Sequence, residues 1–305
     1  MSARQHELDD AALRAWPLPE PDDGADKEER GRVLVIAGCA EMPGAAVLAA
    51  TAALRAGAGK LVVATPACIA PWVAASLPEA RVIGLVEDER GELQAEQALE
   101  RLHGVLAGTA AVLVGPGMVP EAAAVRLVRA LRPALGDTPL LLDAAAMAAV
   151  REGGDAPAAL GPHTLLTPHA GEMAHLLGQA KEALVQDPRD TALRAAHQWQ
   201  CVVALKGAET WIATPGGDCW RHARGNVGLA TSGSGDVLAG LVAGLLARGA
   251  PPAQAAAWGV ALHARAGERL AERVGPLGYL ARELAAEVPR LMGALRAQAG
   301  AARDR

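Results

Sequence analysis

The sequence has no phenylalanine, one tyrosine and six tryptophans, so aromatic side chains make up 2% of its 305 residues. A surface on which nucleic-acid bases stack needs several aromatic rings and is therefore hardly available. No apolar run reaches the roughly 18 residues that a membrane-spanning helix requires. The four cysteines lie far apart without Cys-x-x-Cys spacing. This pattern disfavours a disulfide framework and a structural zinc site, and it fits a reducing cytoplasm.

The chain also lacks net charge beyond its first thirty residues. Residues 1–30 hold nine acidic and four basic side chains, which account for the whole net charge of −5. The 25 acidic and 25 basic side chains of residues 31–305 balance. A neutral globular part indicates neither a nucleic-acid nor a membrane partner.

Residues 1–30 are polar, with three prolines between positions 17 and 21, and no apolar stretch that would indicate a secretory signal. We predict a polar, acidic tail or a short leading helix here, which is dispensable for activity. The rest of the sequence, about 31–300, shows no linker and is predicted to form one domain.

Short continuous runs of Val, Ile and Leu alternate with longer helical patterns. Continuous runs are typical of strands that are buried on both faces of a parallel sheet. Strands are predicted at 32–38, 60–66, 81–86, 110–117, 139–144, 163–169 and 201–207, with a hairpin at 210–220. Helices are predicted at 44–57, 92–107, 120–132, 170–178, 234–248, 252–273 and 279–296. This alternation predicts an α/β fold with a mostly parallel sheet and helices on both faces.

Glycines and polar residues follow several of the predicted strands. In such sheets, ligands bind beyond the carboxyl ends of the strands, so these residues are candidates for a site. They are Gly38, Gly115-Pro116-Gly117, Asp143, Thr167-Pro168-His169 and Lys206-Gly207.

The most informative segment is GNVGLATSGSGDVLAGLVAGLLARG, at 225–249. Its glycine-rich turn Ser232-Gly233-Ser234-Gly235 leads into an apolar helix, where backbone N–H groups form an anion site. Asp236 lies in the first helical turn. There it is either a carboxylate favoured by the helix dipole or a general base toward a substrate hydroxyl. The turn is not G-x-x-x-x-G-K-[ST], so a Walker P-loop is excluded.

Two further segments carry candidate residues. Lys206, one of four lysines, ends a strand before Gly207, which suits either a nucleotide phosphate or a solvated hairpin. His169 lies in LLTPHAGEMAHLLG, in a turn that either aims it into the crevice or caps the next helix. His169 and Glu172 have the i,i+3 spacing of half a metal site, but no third ligand is near, so metal ligation by this pair is not expected.

Together these segments resemble the ADP-dependent NAD(P)H-hydrate dehydratase family of the ribokinase-like superfamily, over about residues 31–295. The stretch 225–249 is close to diagnostic, and LTPHAGEM, VLVGPG, LKGAET and the early PGAA…AALRAGAG run occur in the family's order. The resemblance implies a ribokinase-like three-layer αβα sandwich with a central, mostly parallel sheet.

The resemblance implies repair of hydrated NADH or NADPH. ADP would phosphorylate the hydroxyl of the hydrated nicotinamide ring, giving AMP, and elimination of phosphate would restore the reduced cofactor. Mg²⁺, a homotetramer and a cytoplasmic location are also implied. Family members are often fused to an N-terminal epimerase domain. Thirty leading residues cannot hold one, so we expect a separate epimerase in the pathway.

The resemblance also implies roles for individual residues, while the metal ligands stay unknown. Asp236 is the implied catalytic base. The implied anion hole is Gly233, Ser234 and Gly235. The implied nucleotide-binding residues are Lys206, Gly207, Ala208, Glu209, Thr210 and Gly235. The implied substrate-binding residues are Ala45, Gly117, His169 and Asp236.

The sequence departs from the family pattern at several positions. Where the family shows LDADAL, residues 142–147 are LDAAAM, so Ala145 replaces an acidic residue near the implied metal or hydrate contacts. GNPG has become GNVG, GPGLG has become GPGMV, and the first loop lacks an aromatic residue near Met42.

Two alternatives stay open: a kinase of the same superfamily for the hydroxymethyl group of a vitamin precursor, and a non-catalytic nucleotide-binding homologue. The choices between ADP and ATP and between hydrated NADH and NADPH also stay open.

Overall fold

The computed structural model describes residues 4–22, 24, 26–151 and 159–303, and in these ranges ten strands form one sheet. The strands are β1 (Arg4–Glu7), β2 (Arg32–Ile36), β3 (Lys60–Pro66), β4 (Arg81–Leu85), β5 (Ala111–Val114), β6 (Leu140–Leu142), β7 (Thr164–Leu166), β8 (Val202–Leu205), β9 (Thr210–Ala213) and β10 (Asp218–His222). The helices are α1 (Asp10–Ala15), α2 (Pro43–Arg55), α3 (Ala70–Ser76), α4 (Ala95–Leu106), α5 (Glu121–Leu135), α6 (Ala170–Leu177), α7 (Lys181–Gln186), α8 (Pro188–Trp199), α9 (Ser234–Ala247), α10 (Pro252–Arg273) and α11 (Ala281–Arg303). Two 3₁₀ segments span Ala144–Arg151 and Val227–Leu229.

The sheet is mostly parallel. Its order is β1-β10-β9-β8-β7-β6-β5-β2-β3-β4. The pairs from β8 through β4 are all parallel, and β9 runs antiparallel to both β8 and β10. The predicted hairpin and the predicted α/β architecture are therefore confirmed.

Helices cover both faces of the sheet, because its central strands are apolar on both sides. In β2, Val33 and Val35 pack toward α2, α9, α10 and α11, whereas Leu34 and Ile36 pack toward α4, α5 and α8. All four side chains are completely buried. The Val/Ile/Leu runs are thus continuous because these strands are buried on both faces, as the sequence predicts.

Small residues let α9 and α2 pack closely on one face. A Cβ atom at Gly240 would overlap the carbonyl oxygen of Ala49, and one at Gly244 would overlap that of Ala53. This contact fixes the start of α9, where the glycine-rich turn lies, relative to the start of α2, which carries Ala45.

Of the two alternatives predicted for the N-terminal segment, a tail or a short leading helix, the structure has the helix, α1 (Asp10–Ala15), packed on the domain. β1 extends the sheet by pairing in parallel with β10, and α1 buries Leu13 completely. Trp16 stacks on Trp220 with ring centroids 5.2 Å apart, and Asp10 forms an ion pair with the buried Arg265. Polar composition misleads here because a segment that adds to an existing sheet edge needs few apolar side chains of its own.

Helices α3, α7 and α8 are not predicted by the sequence analysis. α3 and α7 are short, with seven and six residues, and α8 mixes charged with apolar residues after its Asp187 cap. Within the ranges that the structure describes, no helix is both long enough and apolar enough to cross a membrane.

Candidate active site

The residues that follow the central strands meet at one edge of the sheet. Ile36 of β2 pairs in register with Val114, Val114 with Leu142, and Leu142 with Leu166. Because these strands are parallel and in register, the loops after them lie side by side. The sequence-based expectation that these loops converge is therefore correct.

The glycine-rich turn begins α9 in a conformation that requires glycine. Gly233, the N-cap, has φ +85°, and a Cβ atom there would also meet the side chain of Leu48. The first N–H groups of a helix have no partner within the helix, so those of Gly235 and Asp236 can bind an anion. The turn thus has the conformation that a phosphate-binding turn requires.

Asp236 is half-buried in the first turn of α9. Burial, and then the negative charge of Asp143, raise the pKa of its carboxyl to about 6, although the ammonium of Lys206 acts in the opposite direction. A carboxylate with this pKa can accept a proton near neutral pH more effectively than an ordinary aspartate. The two roles of Asp236, general base and helix cap, both stay predictions.

Lys206 lies among carboxylates at the end of β8. Its Nζ atom is 3.4 Å from Oδ1 of Asp143 and 3.8 Å from Oε2 of Glu172. Burial acts to lower the pKa of Lys206, but these carboxylates and that of Asp236 outweigh it, and the pKa is raised. The lysine is therefore a permanent positive charge beside the glycine-rich turn. A Cβ atom placed on Gly235 would lie 3.6 Å from its Nζ atom, which shows how close the two residues are.

Asp143 is held rigidly at the end of β6. It is 3% exposed and accepts a 2.6 Å hydrogen bond from the hydroxyl of Thr167, which follows β7. The next residue, Ala144, has φ +47°, an uncommon conformation for a residue with a Cβ atom. The chain thus turns sharply just after Asp143.

His169 caps helix α6 and also faces the cleft. Its Nδ1 atom accepts hydrogen bonds from the N–H groups of Gly171 and Glu172, at 3.0 and 3.1 Å. Oε2 of Glu172 accepts one from the N–H of His169 at 2.7 Å, which completes a capping box. Because Nδ1 is an acceptor, the ring presents Nε2 as its donor in the neutral form. His169 therefore both caps the helix and faces the cleft, the two positions that the sequence leaves open for it.

A cleft of about 580 Å³ lies beside these groups. All four residues with an implied substrate role line it. They are Ala45, Gly117, His169 and Asp236. Met42, Met118 and Met147 give it an apolar wall, and Ala145 contributes a methyl group where the family has an acid. The structure thus brings these four candidates to one cleft, while their roles stay predictions.

The residues with an implied nucleotide role lie at the neighbouring strand end. Gly207 and Ala208 are exposed, and Thr210 starts β9. The carboxylate of Glu209 is bound by the guanidinium of Arg221 on β10, which also lies 3.4 Å from Glu7 of β1. This pairing lowers the pKa of Glu209 and offsets its negative charge at the edge where a phosphate chain would approach.

Mg²⁺ has no preformed cage here. In the part of the chain that the structure describes, no group of three or more His, Cys, Asp or Glu side chains is arranged to hold a metal ion. The carboxylates of Asp143 and Glu172 already share Lys206. The residues present therefore do not fit a resident Mg²⁺ unless a ligand brings additional phosphate oxygens.

The sequence analysis assigns no catalytic or binding role to four polar residues near the site. It gives Asp143 as a candidate after its strand and Glu172 in a helical turn, and these positions are the signal that places them near the site. His175 and Glu121, 2.9 Å apart, also line the cleft. Neither has a recognisable spacing in the sequence, because they meet across helices α5 and α6.

The family model for NAD(P)H-hydrate dehydratase matches residues 33–290. An ADP-dependent (S)-NAD(P)H-hydrate dehydratase from Xanthomonas campestris is 48% identical over 286 residues, covering 93% of this chain and 95% of that protein. The chain spans 53% of a bifunctional NAD(P)H-hydrate repair enzyme, Nnr, from Moorella thermoacetica, at 39% identity over 92% of this chain.

Solved structures agree with these matches. An ADP/ATP-dependent NAD(P)H-hydrate dehydratase from Bacillus subtilis, co-crystallised with ATP/Mg²⁺, has a TM-score of 0.80 at 33% identity and covers 95% of this chain and 98% of its own. A ribokinase-like superfamily protein from Enterococcus faecalis has a TM-score of 0.81 at 25% identity, with coverages of 95% and 96%. The ribokinase-like fold is thereby confirmed, and the chain belongs to the NAD(P)H-hydrate dehydratase family.

Proposed function

We propose that this chain is an ADP-dependent (S)-NAD(P)H-hydrate dehydratase that repairs hydrated NADH and NADPH. The observation that carries the proposal is the position of Asp236. Its carboxyl, with a pKa of about 6, lies between the glycine-rich turn, Lys206 and the cleft. A proton acceptor next to an anion site is what phosphoryl transfer to a hydroxyl requires.

The chemistry proceeds in two steps. The ring hydroxyl of the hydrate attacks the β-phosphorus of ADP, its proton passes to Asp236, and AMP leaves. The C–O bond then breaks, the oxygen departs as phosphate, and loss of a ring proton restores the double bond of NADH or NADPH. The sum is removal of one water molecule coupled to conversion of ADP into AMP and phosphate.

The nucleotide is held at the ends of β8 and α9. Lys206 offers a positive charge to the phosphates, while the N–H groups of the glycine-rich turn stabilise negative charge on the transferred group. A Mg²⁺ ion bound with the nucleotide would be held mainly by phosphate oxygens, since the described residues form no metal cage, and it would offset the charge of the phosphates. The pairing of Glu209 with Arg221 supports a nucleotide site at the adjacent loop.

The experiment supplies purified protein with hydrated NADH or NADPH, ADP and Mg²⁺ and follows the absorbance of the reduced nicotinamide together with AMP formation. We expect stoichiometric recovery of the cofactor and release of AMP. ATP replaces ADP in a parallel reaction, and Asp236→Asn is the catalytic control.

Two other results would redirect the assignment. Turnover of a hydroxymethyl vitamin precursor with ATP, without repair of the hydrate, would indicate a kinase. ADP binding without any turnover would indicate a nucleotide-binding homologue, the alternative that Ala145 raises.

We also propose a cytoplasmic homotetramer that works in a pathway with an epimerase. The four unpaired cysteines support the reducing compartment.

A further inference from the structure

The first turn of α9 has no side-chain cap of its own. Gly233 occupies the N-cap position, and the N–H of Ser234 donates back to the carbonyl oxygen of Thr231 at 3.2 Å. Both the phosphate-binding N–H groups and the carboxylate of Asp236 belong to this turn. Their geometry depends on whatever else holds the turn in place.

His263, in the middle of α10, contacts this turn. Its Nε2 atom lies 3.0 Å from the hydroxyl oxygen of Ser234 and 3.0 Å from the carbonyl oxygen of the same residue. Ser234 is 4% exposed and His263 is half-buried, so this contact is partly buried. Burial lowers the pKa of His263 to about 4, and Lys206 acts in the same direction, so the imidazole is neutral near pH 7.

A neutral imidazole can make this contact in two tautomeric forms. With its hydrogen on Nε2, the ring donates to the carbonyl oxygen of Ser234. With its hydrogen on Nδ1, Nε2 accepts the hydroxyl hydrogen of Ser234. In either form His263 ties α10 to the first residue of α9, and phosphate binding falls to the N–H groups of the following residues, Gly235 and Asp236.

We propose that His263 is a positioning residue for phosphoryl transfer, an inference that rests on the proposed function of Asp236. It acts through Ser234 and fixes the distance between the phosphate-binding turn and the attacking hydroxyl. His263 is not among the described residues that line the cleft, so we expect it to act without touching the substrate. Its effect is confined to geometry, where a shift of about 1 Å can lower a rate by about 100-fold.

The test compares His263→Gln with His263→Asn and His263→Leu. The Gln amide reaches about as far as Nε2 and can donate or accept, the Asn amide is too short, and Leu fills the space without a hydrogen bond. We expect Gln to keep kcat within about threefold, and Asn and Leu to lower it by about tenfold or more. KM for the hydrate should change little. His197→Leu, at an exposed position on α8, is the matched control.

A merely structural histidine predicts a different result. Thermal unfolding would shift while kcat per folded molecule stayed unchanged, and this outcome would overturn the proposal. Equal losses in the Gln and Leu variants would overturn it as well, because the hydrogen bond would then not matter. If the Leu variant does not fold, the comparison of Gln with Asn decides, since both are amides.

A failure of the proposed function is visible separately, as wild-type protein that does not repair the hydrate. In that case hydrogen exchange of the peptide covering 231–238 still tests the contact, with and without ADP. We expect His263→Asn to exchange faster in this peptide and His263→Gln to match the wild type. Unchanged protection in the Asn variant would contradict the proposal.

Discussion

The charged side chains around Asp236 differ from those around Arg265 in how their charges balance. Three carboxylates surround a single ammonium in the first group, which we name the site cluster: Asp143, Glu172, Asp236 and Lys206. Because one positive charge serves three negative ones, the excess negative charge disfavours the ionised form of a carboxylate in this group. Asp236 is affected: burial raises its pKa most, and the charge of Asp143 raises it further.

The second group, which we name the brace cluster, consists of Asp10, Arg224, Arg265 and Glu268. Asp10 pairs with the buried Arg265 and lies 3.5 Å from Arg224, which is in turn 2.8 Å from Glu268. Two arginines meet two acids, so each charge has a partner. This cluster joins α1 to α10 and stabilises the attachment of the N-terminal segment.

The comparison teaches that buried charge alone does not identify a functional site. A balanced cluster holds the fold together, and an unbalanced one shifts the proton affinity of a group that can then move a proton. Changing the balance of each cluster by one charge should therefore affect mainly turnover in the site cluster and only stability in the brace cluster.

Asp236→Asn should give the largest effect, since it removes the excess charge from the site cluster. We expect turnover to fall about 100-fold or more, because the amide cannot accept the proton. ADP binding should survive or tighten, since a negative charge beside the phosphates is lost. Near-normal turnover would show that Asp236 is a helix cap and that the base is elsewhere, with Asp143 next to test.

The same variant should also be more stable. The pKa of Asp236 is about 6 in the folded protein, above the 3.8 of a free aspartate. The folded state therefore binds the proton more tightly, and this stabilisation is lost as the pH rises from about 4 to above 6. At pH 8 we expect Asn to raise Tm by roughly 2–4 °C relative to wild type, and the difference to shrink below pH 5. Scanning calorimetry at both pH values measures it.

Lys206→Ala should give the next largest effect. We expect KM for ADP to rise about 10- to 100-fold, as loss of a charged hydrogen bond of roughly 1.5–3 kcal/mol implies. Removing the ammonium also takes away the one charge that lowers the pKa of Asp236. The acid limb of the kcat profile should therefore move to higher pH. Lys181→Ala, at an exposed position on α7, is the control. An unchanged KM for ADP in Lys206→Ala would refute a phosphate-binding role.

The sequence predicts the layered fold well because each central strand is a short apolar run that must be buried on both faces. It also locates the carboxyl-end residues such as Asp143 and Lys206, since parallel strands place their ends together. It does not reveal that Lys206 lies 3.4 Å from Asp143, 63 positions away, or that His263 contacts Ser234. Those contacts depend on how two loops or two helices pack, which no local pattern encodes.

The N-terminal segment is missed for a related reason. Leu13 and Trp16 are isolated apolar residues in a polar stretch, and their burial depends on surfaces supplied by α10, α11 and Trp220. That the first thirty residues are dispensable for activity stays a prediction. Their removal would expose one edge of β10 and take Asp10 away from Arg265.

Asp10→Ala tests the brace cluster directly. Arg265, with 7% of its side chain exposed, loses its acidic partner, which we expect to cost about 1–3 kcal/mol of unfolding free energy. The value of kcat for folded protein should stay within about twofold, since no residue of the brace cluster is among the described residues that line the cleft. Replacing Arg265 as well, with Met, should recover part of the loss, because no unpaired charge then remains buried. A loss of kcat without a loss of stability would mean that this cluster also serves the site.

Ala145→Asp should give the smallest effect, and it adds one negative charge to the wall of the cleft that Asp236 shares. A further carboxylate near Asp236 disfavours its ionised form, so the acid limb of the kcat profile should move upward by less than about one pH unit. Ala145→Asn, which adds the same volume without charge, should leave the limb near pH 6, where the pKa of Asp236 places it. Above pH 8, where Asp236 is ionised in all three proteins, their kcat values should agree within about threefold. A different result would be a several-fold rise of kcat at pH 8 in Ala145→Asp, together with a steeper dependence on Mg²⁺. The acid that the family has at position 145 would then be a metal ligand, and position 145 would not act through the charge balance around Asp236.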